Sequence, residues 1–117
     1  MTQAIATVRA FAVYLWCLGA LLLLIPNPFL GLFGMPEARE VWIRVVGVLV
    51  INIGVYYWFG AAAGRGFLQA TAYARFFVLL AFVGLVLAGF APALLIAFGA
   101  VDAAGGLWTL LALKRSL

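Results

Sequence analysis

Apolar residues dominate four long runs of this chain, and polar residues collect in the segments between the runs. The runs cover residues 5–25, 41–62, 69–89 and 93–113. Each is close to the roughly 20 residues of helix that cross a hydrocarbon core about 30 Å thick. Inside such a core, only a helix or a closed barrel satisfies every backbone N–H and C=O group. The pattern therefore predicts four transmembrane helices in a single domain, residues 1–117.

The overall composition indicates the same class of protein. Apolar residues make up 69% of the sequence and charged residues 9%, whereas a typical soluble domain is about half apolar and about a quarter charged. The net charge of +4 comes from basic residues that are scattered singly, which is unlike the patch or stripe of a nucleic-acid-binding surface. We therefore expect a lipid bilayer around the chain and no nucleic-acid partner.

The basic residues also predict the orientation of the helices. One side holds both termini, the second connection and five basic residues: Arg9, Arg65, Arg75, Lys114 and Arg115. The other side holds four charged residues of balanced sign: Glu37, Arg39, Glu40 and Arg44. Because basic residues favour the cytoplasmic side of a membrane, both termini are expected in the cytoplasm. The predicted location is a bacterial inner membrane or plasma membrane.

The connections complete the predicted architecture. Those at residues 63–66 and 89–92 are short, which places the helices that they join side by side and antiparallel. Residues 26–35 are too apolar for a solvated loop, so we expect them to lie in the membrane interface. Pro36 is predicted to start the second helix, since proline is tolerated at a first helical position. The predicted fold is an all-α, integral membrane four-helix bundle with antiparallel sequential helices.

Two strongly polar side chains fall near the centre of a predicted span, Asn52 in the second and Asp102 in the fourth. The second and fourth helices run in the same direction, so both side chains are expected at the same depth and in contact if those helices pack together. Small residues lie one helical turn from Asp102, which indicates that it faces into the bundle. Tyr56 lies one turn from Asn52 and completes a candidate polar site.

Two interpretations of Asp102, Asn52 and Tyr56 stay open. Ionisable residues inside a membrane commonly mark functional sites, which favours the binding of a proton, an ion or a ligand. Hydrogen bonds between membrane helices contribute about 0.6–2 kcal/mol to association, which favours a purely structural contact. Arg44 and Arg75 are expected near the ends of their spans, where their charged groups extend to the headgroups instead of pairing with Asp102.

Glycines mark the faces on which the helices are expected to pack closely. Gly47 and Gly54 share one face of the second predicted helix, and Gly99 and Gly106 have the same spacing on the fourth. Small residues let two helix backbones approach each other. The pair on the second helix is therefore predicted to contact another helix of the chain or a second copy of the protein.

Catalytic chemistry has little support in the sequence. It contains no histidine, a single cysteine (Cys17) inside the first run, and three carboxylates that are not clustered. Neither a nucleophile–base arrangement nor a metal site can be assembled from these residues. No glycine-rich phosphate-binding loop of the Walker type is present. We predict that the protein is not an enzyme and uses no metal and no cofactor.

Several segments carry a resemblance to a known group of proteins: residues 43–47, residues 56–57, residues 98–102 and residues 106–109. They are similar to small, uncharacterised bacterial membrane proteins with four helices. That resemblance implies the membrane location and the architecture, and it brings no known activity. Small multidrug-resistance transporters have a similar size and helix count, yet the glutamate in their first helix is absent here.

Two classes of function follow from these residues. The favoured class is a small scaffold, accessory subunit or lipid-binding module, because no second charge accompanies Asp102 and no span is broken at its centre. The alternative is a minimal, oligomeric transporter or channel in which Asp102 binds a proton or a cationic solute at the membrane midplane. Either class allows a homo-oligomer or a larger membrane complex.

Overall fold

The computed structural model describes residues 1–115, and this part of the chain forms helices and the connections between them. Five α-helices follow one another: α1 (Thr2–Leu24), α2 (Pro26–Leu32), α3 (Trp42–Gly60), α4 (Arg65–Leu87) and α5 (Leu95–Arg115). One turn of 3-10 helix, Ala61–Ala63, extends α3. Four stretches are long and apolar enough to cross a membrane: α1, α3 with its 3-10 turn, α4 and α5. The predicted all-α class and the four long apolar helices are confirmed.

The first connection differs from its prediction. Pro26, and not Pro36, occupies a first helical position, and it begins the short helix α2. Residues 35–40 have no helical structure, and the next long helix begins only at Trp42. Either proline suits a helix start because its missing N–H group has no partner there in any case. The prediction that Pro36 starts the second long helix is therefore wrong.

A side-chain contact holds this non-helical segment against α2. The Asn27 side-chain carbonyl accepts a hydrogen bond of 2.8 Å from the Ala38 backbone N–H, and the Asn27 amide donates one of 3.2 Å to the Ala38 carbonyl. Both backbone groups of Ala38 are thus satisfied outside a helix. A helix that began at Pro36 would use them differently, which explains the late start of α3.

The long helices pack as two pairs, α1 with α3 and α4 with α5. α1 also packs against α5 and so joins the two pairs, whereas α3 and α5 do not form a packed pair. α3 and α4 meet near the turn that connects them, where Tyr57 and Gly60 contact Phe67. The expectation that every sequential pair of long helices packs side by side is therefore too simple for α3 and α4.

Glycines bring α1 and α3 into backbone contact. A Cβ atom on Gly47 would lie 2.7 Å from the Gly19 carbonyl oxygen and 2.8 Å from the Leu23 nitrogen. A Cβ atom on Gly54 would lie 2.6 Å from the Trp16 ring. Because these separations are too short for real Cβ contacts, α3 must turn its glycine face toward α1. Gly47 and Gly54 thus lie against a helix of the same chain.

The second helix pair uses glycines in the same way. A Cβ atom on Gly99 would lie 2.9 Å from the Leu79 Cα, and one on Gly106 would lie 2.9 Å from the Ala72 carbonyl oxygen. These two residues of α5 therefore face α4. Close backbone approach leaves little room for side chains between these two helices.

A hydrophobic core ties the two pairs together near the start of α1 and the end of α5. Its buried members come from α1, the 3-10 turn, α4 and α5: Ala4, Val8, Ala61, Leu68, Ala112 and Leu113. The buried residues of α4 begin at Leu68 and end at Arg75, with none between Arg75 and Leu87. Arg75 is therefore the last buried residue of α4.

Candidate functional site

The interior of the bundle contains a fully buried arginine. Arg75 is only 1% exposed and lies near the middle of α4, since that helix spans Arg65–Leu87. The third apolar run begins at residue 69, but the helix itself begins at Arg65, directly after Gly64 with its φ of 140°. The earlier start moves Arg75 from the end of the helix toward its centre. The prediction that its charged group extends to the headgroups is wrong.

Two threonines, Thr71 and Thr109, accept hydrogen bonds from Arg75, and a third, Thr7, joins the network through Thr109. The Nε–H of Arg75 donates to the Thr71 carbonyl at 3.0 Å, and Nη2 donates to the hydroxyls of Thr71 at 3.2 Å and Thr109 at 2.9 Å. The Thr109 and Thr7 hydroxyl oxygens lie 2.7 Å apart, within hydrogen-bond distance. Since Thr7 belongs to α1, Thr71 to α4 and Thr109 to α5, the network links the two helix pairs.

Aromatic rings cover the guanidinium group. Its central carbon lies 4.8 Å from the Phe11 ring centroid and 5.8 Å from the Tyr57 ring centroid, within the range of cation–π attraction. Gly105 supplies the space: a Cβ atom there would lie 2.9 Å from the Phe11 ring and 3.1 Å from Arg75 Nη1. Phe11, Tyr57 and Gly105 thus separate Arg75 from the surroundings of the bundle.

One end of the guanidinium group has no partner. Arg75 Nη1 is buried and makes no hydrogen bond to any described residue. An unsatisfied buried donor costs about 1–3 kcal/mol, and a charged one costs more. Native structures rarely leave such a group without a reason. The N–H groups of Nη1 are therefore the part of the site that is free to bind an acceptor.

Asp102 supplies negative charge to the same part of the bundle. It is half-buried on α5 and interacts electrostatically with Arg75 and with the phenol groups of Tyr14 and Tyr57. It accepts no hydrogen bond from the described residues, and it does not approach Arg75 within the 4.0 Å of an ion pair. The two opposite charges therefore share one region of the bundle without direct contact.

The structure does not bring Asn52 and Tyr56 to Asp102. Both are exposed on α3, with Tyr56 67% exposed. The cause is the rotation of α3, whose glycine face meets α1 and turns these two side chains outward. The neighbouring Tyr57 faces Arg75 instead. The expected contact between Asn52 and Asp102 is thus not formed, because the helices that carry them do not pack together.

Sequence reasoning did not find Arg75 and its three threonines as a site. One signal was present: Thr71 and Arg75 are four residues apart, which places them on the same helix face. A second was Thr109, which lies two turns from Asp102 on its small-residue face. Neither signal shows that α4 and α5 pack with these faces together, and the site exists only because they do.

No family model, curated protein or solved structure matches the chain. The resemblance to small bacterial four-helix membrane proteins therefore stays a prediction. Within residues 1–115, no three histidine, cysteine or carboxylate side chains lie close enough to hold a metal ion. The chemistry that this region offers is that of Arg75, Asp102 and the hydroxyl groups around them.

Proposed function

We propose that the chain is a multi-pass membrane protein with both termini in the cytoplasm, in a bacterial inner membrane or plasma membrane. The four long apolar helices support insertion. Because Arg75 is buried in the middle of α4, we leave it out of the count of basic residues at the two ends of the bundle. Four basic residues then lie at one end and two at the other. The excess still favours a cytoplasmic location for both termini.

Cysteine labelling tests this topology. In a Cys17→Ala background, Arg65→Cys should stay protected from a membrane-impermeant thiol reagent in intact cells, whereas Glu37→Cys should react. Permeabilised cells supply the control, because both positions should then react. Labelling of position 65 together with protection of position 37 in intact cells would contradict the proposed orientation.

For the activity, we propose that Arg75 and Asp102 bind a small anion and a proton together, as the centre of a minimal proton-coupled transporter or channel. The observation that carries this proposal is the buried, unpartnered Nη1 of Arg75, in the part of the bundle where Asp102 interacts electrostatically with Arg75 without bonding it. Nη1 offers two N–H donors, and guanidinium groups bind carboxylate and phosphate oxygens well. Asp102 offers an oxygen that can take up a proton.

Charge balance selects this combination over the alternatives. Before a ligand binds, the site carries the permanent positive charge of Arg75 and the negative charge of Asp102, which sum to zero. A proton or a cation alone at Asp102 leaves one positive charge, and an anion alone at Arg75 leaves one negative charge. A buried uncompensated charge costs several kcal/mol. A proton on Asp102 with an anion on Arg75 restores a sum of zero, so we prefer it to the cationic solute inferred from the sequence.

A ligand that enters the site must pass the side chains that cover Arg75. Asp102 is half-buried and reachable, while Nη1 lies behind Phe11 and Gly105. The contact between α1 and α5 at Phe11 is therefore the place where the site must open to admit an anion. A site that opens and closes around its ligand is what a transporter requires.

Proton uptake on anion binding tests the proposal. Three monovalent anions, chloride, acetate and nitrate, serve as probes and are added to the purified protein in weakly buffered detergent solution that contains a pH indicator. Each bound anion should be accompanied by uptake of about one proton, and by linkage its binding should tighten as the pH falls. Asp102→Asn should abolish the uptake, and Glu40→Gln should leave it unchanged. Binding without proton uptake would contradict the proposal, and so would the failure of every one of the three probes to bind.

A second candidate is the accessory or scaffold role, which the exposed face of α3 favours. Asn52 lies in the middle of that face without a hydrogen-bond partner among residues 1–115, and Phe59 on the same helix is 72% exposed. An unpaired amide in hydrocarbon is costly, and a helix of a partner would satisfy it. Mass spectrometry of the protein purified in mild detergent distinguishes the roles. A partner that co-purifies with the unmodified protein and is lost from the Asn52→Leu variant favours the accessory role. Purification of the protein without any partner argues against that role.

A further inference from the structure

A shallow groove of about 380 Å³ lies where the first half of α1 meets the end of α3. α1 lines it with residues from Thr2 to Val13, and α3 contributes Trp58. Most of the lining is aliphatic, and the one charged side chain is Arg9. An apolar groove with a single cation resembles neither a solvated surface nor a purely lipid-facing one.

Arg9 is fixed in this groove by Trp58. Its Nε–H donates to the Trp58 carbonyl at 3.1 Å, and the central guanidinium carbon lies 5.1 Å from the Trp58 ring centroid. The two terminal nitrogens have no hydrogen-bond partner among the described residues. A guanidinium group held at Nε keeps its terminal N–H groups pointed away from the backbone and ready for an external acceptor.

The charge of this end of the molecule indicates which acceptor fits. Arg65 begins α4 and donates a hydrogen bond to the Leu113 carbonyl, which places it near the exposed Lys114 and Arg115 at the end of α5. The acidic residues Glu37 and Glu40 lie beyond the other end of α1, in the connection before α3. The groove is therefore in a region of positive potential, which attracts anions.

We propose that this groove binds an anionic phospholipid. The phosphate oxygens accept hydrogen bonds from the terminal N–H groups of Arg9, and the acyl chain lies along Ala10 and Val13. Trp58 lies beside the headgroup, at the level where tryptophan is enriched in membrane proteins. The site rests on the proposed membrane insertion and is independent of the anion site at Arg75.

Lipid retention tests the proposal with the full chain in detergent. Native mass spectrometry with added phosphatidylglycerol or phosphatidylcholine should show a preference for phosphatidylglycerol. Arg9→Gln should weaken the retention of phosphatidylglycerol about tenfold, as expected for the loss of a charge-assisted pair of hydrogen bonds. The matched control is Arg115→Gln, which removes an exposed positive charge from the same end and should leave retention unchanged.

Three outcomes would overturn the lipid site. The first is an equal loss of phosphatidylglycerol retention in the Arg9→Gln and Arg115→Gln variants. The second is equal retention of phosphatidylglycerol and phosphatidylcholine by the unmodified protein. The third is unchanged retention of phosphatidylglycerol in Arg9→Gln. If Arg9→Gln does not fold, Val13→Trp fills the groove while keeping the charge, and it should also reduce retention. Proton uptake should be unaffected by Arg9→Gln, and lipid retention by Asp102→Asn, so failure at one site is distinguishable from failure at the other.

Discussion

Leucine in place of Gly47 should lower the free energy of unfolding by about 3 kcal/mol, at the upper end of the usual overpacking range. The first side-chain atom would lie 2.7 Å from the Gly19 carbonyl oxygen and 2.8 Å from the Leu23 nitrogen. Both are backbone atoms of α1, so no rotation of a side chain relieves the clash. The two helices must separate, and their packed contact is lost. Thermal unfolding in detergent, followed by circular dichroism, measures the effect.

Gly84→Leu is the matched control for this substitution. Gly84 is exposed on α4, and a Cβ atom there would meet nothing within 4 Å. Leucine is a better helix former than glycine by close to 1 kcal/mol, so this variant should be as stable as the unmodified protein or slightly more stable. Equal melting temperatures for Gly47→Leu and Gly84→Leu would mean that α1 and α3 are not in backbone contact.

Removal of the Asp102 charge should also be costly. Asp102→Asn keeps the shape of the side chain but leaves the buried Arg75 without the carboxylate that interacts with it. We expect the free energy of unfolding to fall by about 1–3 kcal/mol, the size of coupling seen between neighbouring groups. Chemical unfolding in detergent measures the change. Glu40→Gln removes an exposed charge outside the long helices and should change the free energy of unfolding little. An equally small change for Asp102→Asn would contradict the electrostatic role of Asp102 toward Arg75.

The long helices were predictable because their apolar runs are nearly uninterrupted and have the length of a membrane span. Their exact starts were not. The third apolar run begins at residue 69, yet α4 begins at Arg65, because polar and small residues can extend a helix beyond its apolar part. This difference of four residues in the start of the helix decides whether Arg75 lies near the end or near the centre of α4. Sequence periodicity does not locate a helix start that accurately.

The site was only half predictable, for a different reason. Asp102 was recognisable as an ionisable residue within an apolar helix, and its small-residue face was recognisable as a contact surface. The partner helix was not, since Gly47 and Gly54 direct α3 toward α1 while Gly99 and Gly106 direct α5 toward α4. The sequence pattern is equally compatible with contact between α3 and α5 and with the observed pairing of α3 with α1 and of α5 with α4. The choice depends on backbone fit between helices, which only the three-dimensional structure reveals.

A double-mutant cycle on Arg75 and Asp102 tests most directly whether the two residues form one charge-balanced site. The free energies of unfolding of Arg75→Gln, Asp102→Asn and the double variant are compared with that of the unmodified protein. We expect the double variant to be more stable than the sum of the single effects predicts, by at least about 1 kcal/mol, because removing both charges leaves neither uncompensated. Additive effects within about 0.5 kcal/mol would show that Arg75 and Asp102 act independently, and would contradict the shared site.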